Sequence, residues 1–289
     1  MNLARGWKIW KKEGKKMKLD EIYQLKHELW LKILFTSFSI PDEKIKNELY
    51  DIAQIEFRHL KWLGNNLKNS DIAYNYDRYA IDFAKNSTFE AFNYLIYEIQ
   101  LVIKNYDLDD PLFARMLSDE YYFVSKFNYY LANSDDMKIT AFNKERIYQN
   151  KILSKESIDA LTIFLFEETY KEYELILIYS YMQNYTNDIT QYNVYQDLID
   201  ESHYHLKCFG NMLSTMGILA IPRTLLKELY QRSDIKQFLK DGIEEERMAK
   251  EECQKLALAV KDDELSKFFE FINYQENYHI ELMKKLLNQ

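Results

Sequence analysis

The sequence predicts an all-α protein made of two tandem four-helix bundles, and three observations support this. The chain of 289 residues contains only 6 glycines and 3 prolines, whereas average usage would give about 20 and about 14. Turn-rich β-folds and glycine-loop nucleotide folds need more of these residues. Apolar residues recur at the helical spacing i, i+3, i+4 and i+7, without the sustained alternation of strands. Finally, one motif occurs twice along the chain.

The first element, residues 1–18, is a basic tail. It contains seven Lys or Arg residues and one Glu, which give it a net charge of +6. Because the whole chain has a net charge of −8, the remaining residues carry −14. A solvated tail is the favoured interpretation, and a short amphipathic helix on a membrane surface is the alternative. The tail lacks the apolar stretch of a signal peptide, and no apolar run is long enough to span a bilayer.

The three prolines predict helix starts that follow the tail in order. Pro41 and Pro111 each stand beside acidic residues, and Asp110 is the expected N-cap of its helix. Pro222 is expected to open a third helix. The polar stretch 133–157 reads as a linker. These boundaries give a first bundle over 19–132 and a second over 158–289.

The internal repeat is carried by a nine-residue motif. His59–Leu67 recurs as His205–Leu213 with six identical residues at an offset of 146. The same offset carries Glu28 onto Glu174. Each copy therefore spans roughly 140 residues, the size of a four-helix bundle with about four long helices.

Two E-x-x-H motifs are the strongest chemical signal. Glu56 and His59 form one, and Glu276 and His279 form the other, on the last helix. At i and i+3 a carboxylate and an imidazole share one helix face and can bind the same metal ion. A single motif of this kind is weak evidence, but two of them in a repeated unit are considerably stronger.

Further acidic residues are expected at the same level of each bundle, because they lie at similar distances from the helix-connecting turns. Buried carboxylates repel one another and are costly to desolvate, so a pair of cations is the usual means of stabilising them. The acidic residues in question are Glu28, Glu56, Glu98 and Glu120 in the first bundle, and Glu174, Glu246 and Glu276 in the second.

These motifs resemble the ferritin-like diiron-carboxylate superfamily, which includes rubrerythrins and bacterioferritins. In that superfamily a Glu on each of two helices and an E-x-x-H on each of the other two hold two irons. The segments Gly242–Ala249 and Glu276–Leu282 are the most similar to the last two helices of rubrerythrin-type domains. The resemblance covers about residues 20–130 and 158–287.

The resemblance implies a metal site in each bundle, and the second is favoured because it retains two histidines. Both depart from the pattern: Phe123 stands where the first bundle should have its second His, and Ser202 stands at a Glu position of the second. Glu201, one residue earlier, could supply the missing carboxylate. His203 lies in a D-x-x-H, but the repeat favours His205. The implied ligands are Glu174, Glu201, His205, Glu246, Glu276 and His279 in the second bundle, and Glu28, Glu56, His59, Glu98 and Glu120 in the first.

The function implied by the resemblance is a non-haem diiron protein, with two iron ions (or manganese) per occupied bundle. It would react with O₂ or peroxide as a ferroxidase, peroxidase or oxidase. Two cysteines cannot form a four-cysteine iron site, so electrons would come from a separate donor. We expect a cytoplasmic protein that does not bind nucleic acid, with a homodimer as one option.

A metal-free helical scaffold or interaction module, derived from the same fold, is the alternative function. The missing ligand in each bundle favours it. A subunit of an iron-storage cage fits less well, because such shells are generally built from single bundles.

Overall fold

The computed structural model describes residues 17–139, 147–148, 150–232 and 234–288. Most of the predicted basic tail and part of the predicted linker lie outside these residues. The described residues form nine α-helices and no strand, with one isolated bridge between Ser87 and Lys138. The all-α prediction is therefore confirmed. Within the same ranges, every helix is too short or too polar to cross a membrane.

The helices pack as two groups. In the first group α1 packs on α2 and α3, and α4 packs on α3 and α2. In the second group α5 packs on α6 and α8, and α9 packs on α8 and α6, with the single turn α7 on α5. The helices are α1 Leu19–Ser39, α2 Glu43–Asn69, α3 Thr88–Ile103, α4 Pro111–Asn133, α5 Lys155–Tyr185, α6 Ile189–Thr215, α7 Lys227–Tyr230, α8 Ile235–Val260 and α9 Asp263–Leu287.

Aspartate caps fix several helix starts. The Asp110 carboxylate accepts a hydrogen bond from the backbone N–H of Leu112 at 2.8 Å, and Pro111 occupies the first turn. This confirms the predicted start of α4. The prediction at Pro222 is wrong, because α6 ends at Thr215 and the next helix begins only at Lys227. Residues 216–226 are instead not helical, and within them the Arg223 guanidinium donates to Glu174 of α5 at 2.6 Å.

The connection between α2 and α3 ties the two groups together. Residues 70–87 are not helical, yet Tyr74 and Tyr76 within them are buried. The Tyr76 hydroxyl donates to the carbonyl of Leu177 on α5 at 2.8 Å, and the Tyr74 hydroxyl accepts from Asn184 at 2.8 Å. The segment thus packs its tyrosines against the second group.

Glycines of the repeated motif allow helices of the two groups to approach closely. A Cβ on Gly64 of α2 would lie 2.7 Å from the Asn184 side chain of α5. A Cβ on Gly210 of α6 would lie 2.7 Å from the Phe38 ring of α1. A side chain at Gly210 would force the buried Phe38 ring to move, and one at Gly64 would displace the Asn184 amide. The two glycines are 146 residues apart, so the repeat places one on each side of the same junction.

His27 is buried at this junction in its neutral form. Its Nε2 lies 3.2 Å from the Tyr173 hydroxyl, and the rings of Trp30 and Tyr76 pack around it. Burial, together with the positive charge of Arg78, lowers the pKa of His27 to about 3. In the unfolded chain the pKa of this imidazole is near 6.5, so below that pH the unfolded chain binds a proton that the folded chain excludes.

We predict that His27 makes the protein less stable as the pH falls. Above pH 6.5 the protonation of His27 leaves the free energy of unfolding unchanged. Between pH 6.5 and about pH 3 it lowers that free energy by roughly 1.4 kcal/mol per pH unit. Between pH 7 and pH 5, His27→Gln should lose roughly 2 kcal/mol less unfolding free energy than the wild type. Denaturant unfolding at both pH values measures this. Equal losses in the two proteins would contradict the prediction.

Candidate metal centre

Five buried side chains from the four long helices of the second group meet at one level of its core. They form what we call the second cluster: Glu172 of α5, His205 of α6, Glu246 of α8, and Glu276 and His279 of α9. None is more than 5% exposed. Their metal-ligating atoms form two triads that share Glu276, and within each triad these atoms lie within 4.8 Å of one another.

Both imidazoles present Nδ1 to the carboxylates. Nδ1 of His205 lies 2.9 Å from Oε1 of Glu172 and 3.6 Å from Oε1 of Glu276. Nδ1 of His279 lies 3.0 Å from Oε2 of Glu276 and 3.7 Å from Oε1 of Glu246. Each carboxylate pair is thus bridged by a nitrogen that could equally bind a cation.

The opposite nitrogen of each imidazole has its own partner. Nε2 of His205 lies 3.2 Å from Oε1 of Gln275, and Nε2 of His279 lies 2.7 Å from Oε2 of Glu201, close enough for an ion pair but without the alignment of a hydrogen bond. Metal-binding histidines generally place such a partner on the nitrogen that faces away from the metal, which fixes the ring. Glu201, predicted as a ligand, lies outside both triads and contacts the far side of His279.

Three carboxylates and two imidazoles share protons in the second cluster. In the described part of the chain, only the two imidazoles lie within ion-pair distance of Glu172, Glu246 and Glu276. Burial lowers the pKa of His205, but the Glu172 carboxylate outweighs it and raises the pKa to about 9. Burial and the Glu246 carboxylate raise the pKa of Glu276. A metal ion that bound here would displace these protons.

The carboxylate that α5 contributes is Glu172, and the prediction of Glu174 at this place is wrong. Leu165, Glu172 and Tyr179 are spaced by seven residues, nearly two helical turns, and all three are buried. Glu174 is two residues further on, rotated by about 200°. It pairs with Arg223 instead.

In the first group an ammonium occupies the centre of the corresponding cluster. Glu56, His59 and Glu120 come together as the sequence predicts, but Lys26 of α1 lies among them, and we call these four the first cluster. Nζ of Lys26 pairs with Glu56, lies 2.5 Å from Oε1 of Glu120 and 3.3 Å from Nδ1 of His59. All four side chains are fully buried.

Further groups hold the first cluster in place. The Tyr106 hydroxyl donates to Oε1 of Glu120 at 2.9 Å, and Nε2 of His59 lies 3.0 Å from Oδ2 of Asp119. Burial lowers the pKa of Lys26, but the carboxylates of Glu120 and Glu56 outweigh it, and the pKa is raised. Lys26 therefore supplies a permanent positive charge at neutral pH.

Glu28 and Glu98, predicted for the first cluster, lie elsewhere. Glu28 accepts a hydrogen bond from the backbone N–H of Tyr79 at 3.0 Å, and Lys32 pairs with Glu98 at 2.7 Å and with Glu28 at 3.7 Å. On α1 the residue that faces the cluster is Lys26, and Glu28 is rotated about 200° from it. The prediction of Glu28 is corrected for the same reason as that of Glu174, and Glu98 pairs with Lys32 outside the first cluster.

The repeat itself contained the signal for the residues that sequence reasoning missed. Lys26 and Glu172 are 146 residues apart, as are His59 and His205. The offset thus aligns the lysine of the first cluster with a glutamate of the second. Phe123, fully buried on α4, stands three residues after Glu120, where α9 has His279 after Glu276. The two clusters differ in these positions.

Comparisons of this chain with known protein families, with curated proteins and with solved structures found no match.

We predict that Lys26→Met strongly destabilises the protein. Removing one partner of a buried ion pair leaves uncompensated carboxylates and costs about 3–5 kcal/mol. Lys46→Met is a control, because the partner of Lys46, Glu43, is largely exposed and such pairs contribute at most about 1 kcal/mol. Denaturant unfolding compares them. If Lys26→Met were as stable as the control, Lys26 would not be the stabilising charge of the first cluster.

Proposed function

We propose that the second cluster holds a dinuclear centre of iron or manganese, and that the protein is a non-haem diiron-type carboxylate protein that reacts with O₂ or peroxide. One observation carries this proposal. Three buried carboxylates and two imidazoles, drawn from four helices, converge without an ammonium among them. Oxygen and imidazole nitrogen donors suit iron and manganese.

The donors divide naturally between two ions. Glu172 and His205 would bind one, Glu246 and His279 the other, and Glu276, common to both triads, would contact both. Oε2 of Glu172 is buried and lacks a hydrogen-bond partner, as expected for an atom that binds a cation. When bound, iron supplies the redox chemistry for which protein side chains have no equivalent.

The chain's own residues would prepare the site for this chemistry. Glu201 and Gln275 hold the two imidazoles from their far sides, so that Nδ1 stays directed at the carboxylates. The ligand side chains are almost completely buried, so bulk water is kept from the site. Electrons would come from a separate donor, because the described cysteines, Cys208 and Cys253, are isolated thiols.

The first group is proposed as a metal-free support. Lys26 supplies between Glu56 and Glu120 the positive charge that a metal ion would otherwise bring, and α1 and α2 contact α6 and α5. The scaffold function would then belong to the first group of the same molecule. We further propose that the two groups are ferritin-like four-helix bundles related by an internal repeat, with the 146-residue spacing of His59 and His205 and of Gly64 and Gly210 as support.

The paired variants Glu172→Gln and Glu174→Gln test the proposal. After anaerobic Fe(II) loading and removal of unbound metal, Glu172→Gln should retain at most about half of the wild-type iron, because it loses a charged ligand. Glu174→Gln should retain all of it, since Glu174 pairs with Arg223. Metal analysis gives the stoichiometry, and circular dichroism confirms folding. A wild type that retains no iron would favour the scaffold alternative, and equal losses in both variants would contradict the assignment of Glu172.

A second pair of variants compares the two clusters. His279→Ala should lower iron stoichiometry and O₂ consumption far more than His59→Ala, because only His279 belongs to the cluster without an ammonium. Alanine favours helix at both positions. The opposite ranking, with His59→Ala abolishing iron binding, would show that the first group is the metal-binding one.

A further inference from the structure

A polar cleft of about 410 Å³ lies between α2 of the first group and α6 of the second. Its volume falls within the range of small-molecule binding sites, about 300–1,000 Å³. We call it the α2–α6 cleft. Its walls include Gln54, Arg58, Lys61 and Trp62 from α2, and Gln196 and His203 from α6. None of these residues belongs to either cluster.

His203 lines this cleft and carries an unpartnered ring nitrogen. The side-chain amide of Gln54 donates to Nδ1 of His203 at 3.2 Å, which places the single proton of the imidazole on Nε2. His203 is 5% exposed, and its Nε2 has no hydrogen-bond partner in the described part of the chain. A buried N–H without an acceptor is costly, so an acceptor from outside the chain would stabilise it.

Within the described ranges, the Lys61 ammonium lines the cleft without a direct carboxylate partner, and Asp200 acts on it only from beyond ion-pair distance. Nζ of Lys61 donates to the Gln196 amide oxygen at 2.5 Å, and among the described residues it forms no ion pair. Arg58 stacks on the Trp62 ring at 5.0 Å and reaches Asp119 at 3.4 Å. Asp200 is the one acidic residue of the lining, and its carboxylate accepts from the Gln196 amide at 2.8 Å.

The repeat shows that this opening is specific to one side of the junction. The residue 146 positions after Lys61 is Lys207, and the residue 146 positions before Gln196 is Tyr50. There the Lys207 ammonium lies 4.4 Å from the centre of the Tyr50 ring, and Tyr50 is buried. The Tyr50 ring therefore covers Lys207. Gln196, which corresponds to Tyr50 in the repeat, has a smaller side chain beside Lys61 and leaves the cleft open.

We propose that the α2–α6 cleft binds a small organic oxyanion, a carboxylate or a phosphate ester. Its oxygen atoms would accept hydrogen bonds from Nε2 of His203 and Nζ of Lys61, and its apolar part would lie against Trp62. An oxyanion satisfies the unpartnered donor and the unpaired ammonium together, which a neutral or cationic molecule would not.

Calorimetric titration of the full-length protein with benzoate, phenyl phosphate and benzyl alcohol tests the proposal. The two anions distinguish the carboxylate from the phosphate class, and the alcohol is the neutral control. At least one anion should bind. Lys61→Gln should weaken its binding by about tenfold or more, since a charge-assisted hydrogen bond is lost. Lys207→Gln, the repeat-related control, should bind within about twofold of the wild type, because Lys207 does not line the cleft.

Two further variants keep the result independent of folding and of the metal centre. Gln196→Tyr introduces the residue that closes the opposite side and should abolish binding while the protein remains folded by circular dichroism. Glu172→Gln should bind the anion as the wild type does, since Glu172 lies in the second cluster. Failure of both anions to bind, tight binding of benzyl alcohol, or equal effects of Lys61→Gln and Lys207→Gln would overturn the proposal.

Discussion

The structure depends on how negative charge buried between helices is compensated. Glu56 and Glu120 in one group, and Glu172, Glu246 and Glu276 in the other, are almost fully removed from water. An isolated buried carboxylate is too costly to persist without a counter-charge or a proton. Each group therefore needs a source of positive charge at the level where its helices meet, and this requirement determines which side chains face inward.

The two groups meet that requirement differently. In the first, position 26 is a lysine whose ammonium contacts both carboxylates. In the second, the position 146 residues later is Glu172, which adds negative charge and is accompanied by two imidazoles. A lysine fixes its charge covalently, whereas imidazoles and carboxylates can exchange protons for metal ions. The exchange of Lys26 for Glu172, together with that of Phe123 for His279, thus distinguishes a self-contained ionic core from a site suited to cations. Gly64 and Gly210 allow the helices of the two groups to approach closely.

Much of this arrangement could be predicted from the sequence, and the failures have a common physical cause. The scarcity of glycine and the helical periodicity predict the all-α class. The E-x-x-H spacing predicts that Glu56 lies beside His59 and that Glu276 lies beside His279. The repeat aligns Glu28 with Glu174, but each lies about 200° around its helix from the residue that faces the cluster. Lys26 is a cation, so it carries no metal-ligand signal in the sequence. Gln275 lies beside His205 through contacts across helices, which spacing along one helix cannot predict.

Anaerobic titration of the wild-type protein with Fe(II), followed by metal analysis, tests most directly whether charge compensation decides where metal binds. Iron should saturate at about two ions per chain, because one cluster offers two triads and the other already contains an ammonium. Saturation at about four ions per chain would show that Lys26 does not exclude metal. Retention of none would show that the carboxylates and imidazoles of the second cluster compensate one another by protonation alone.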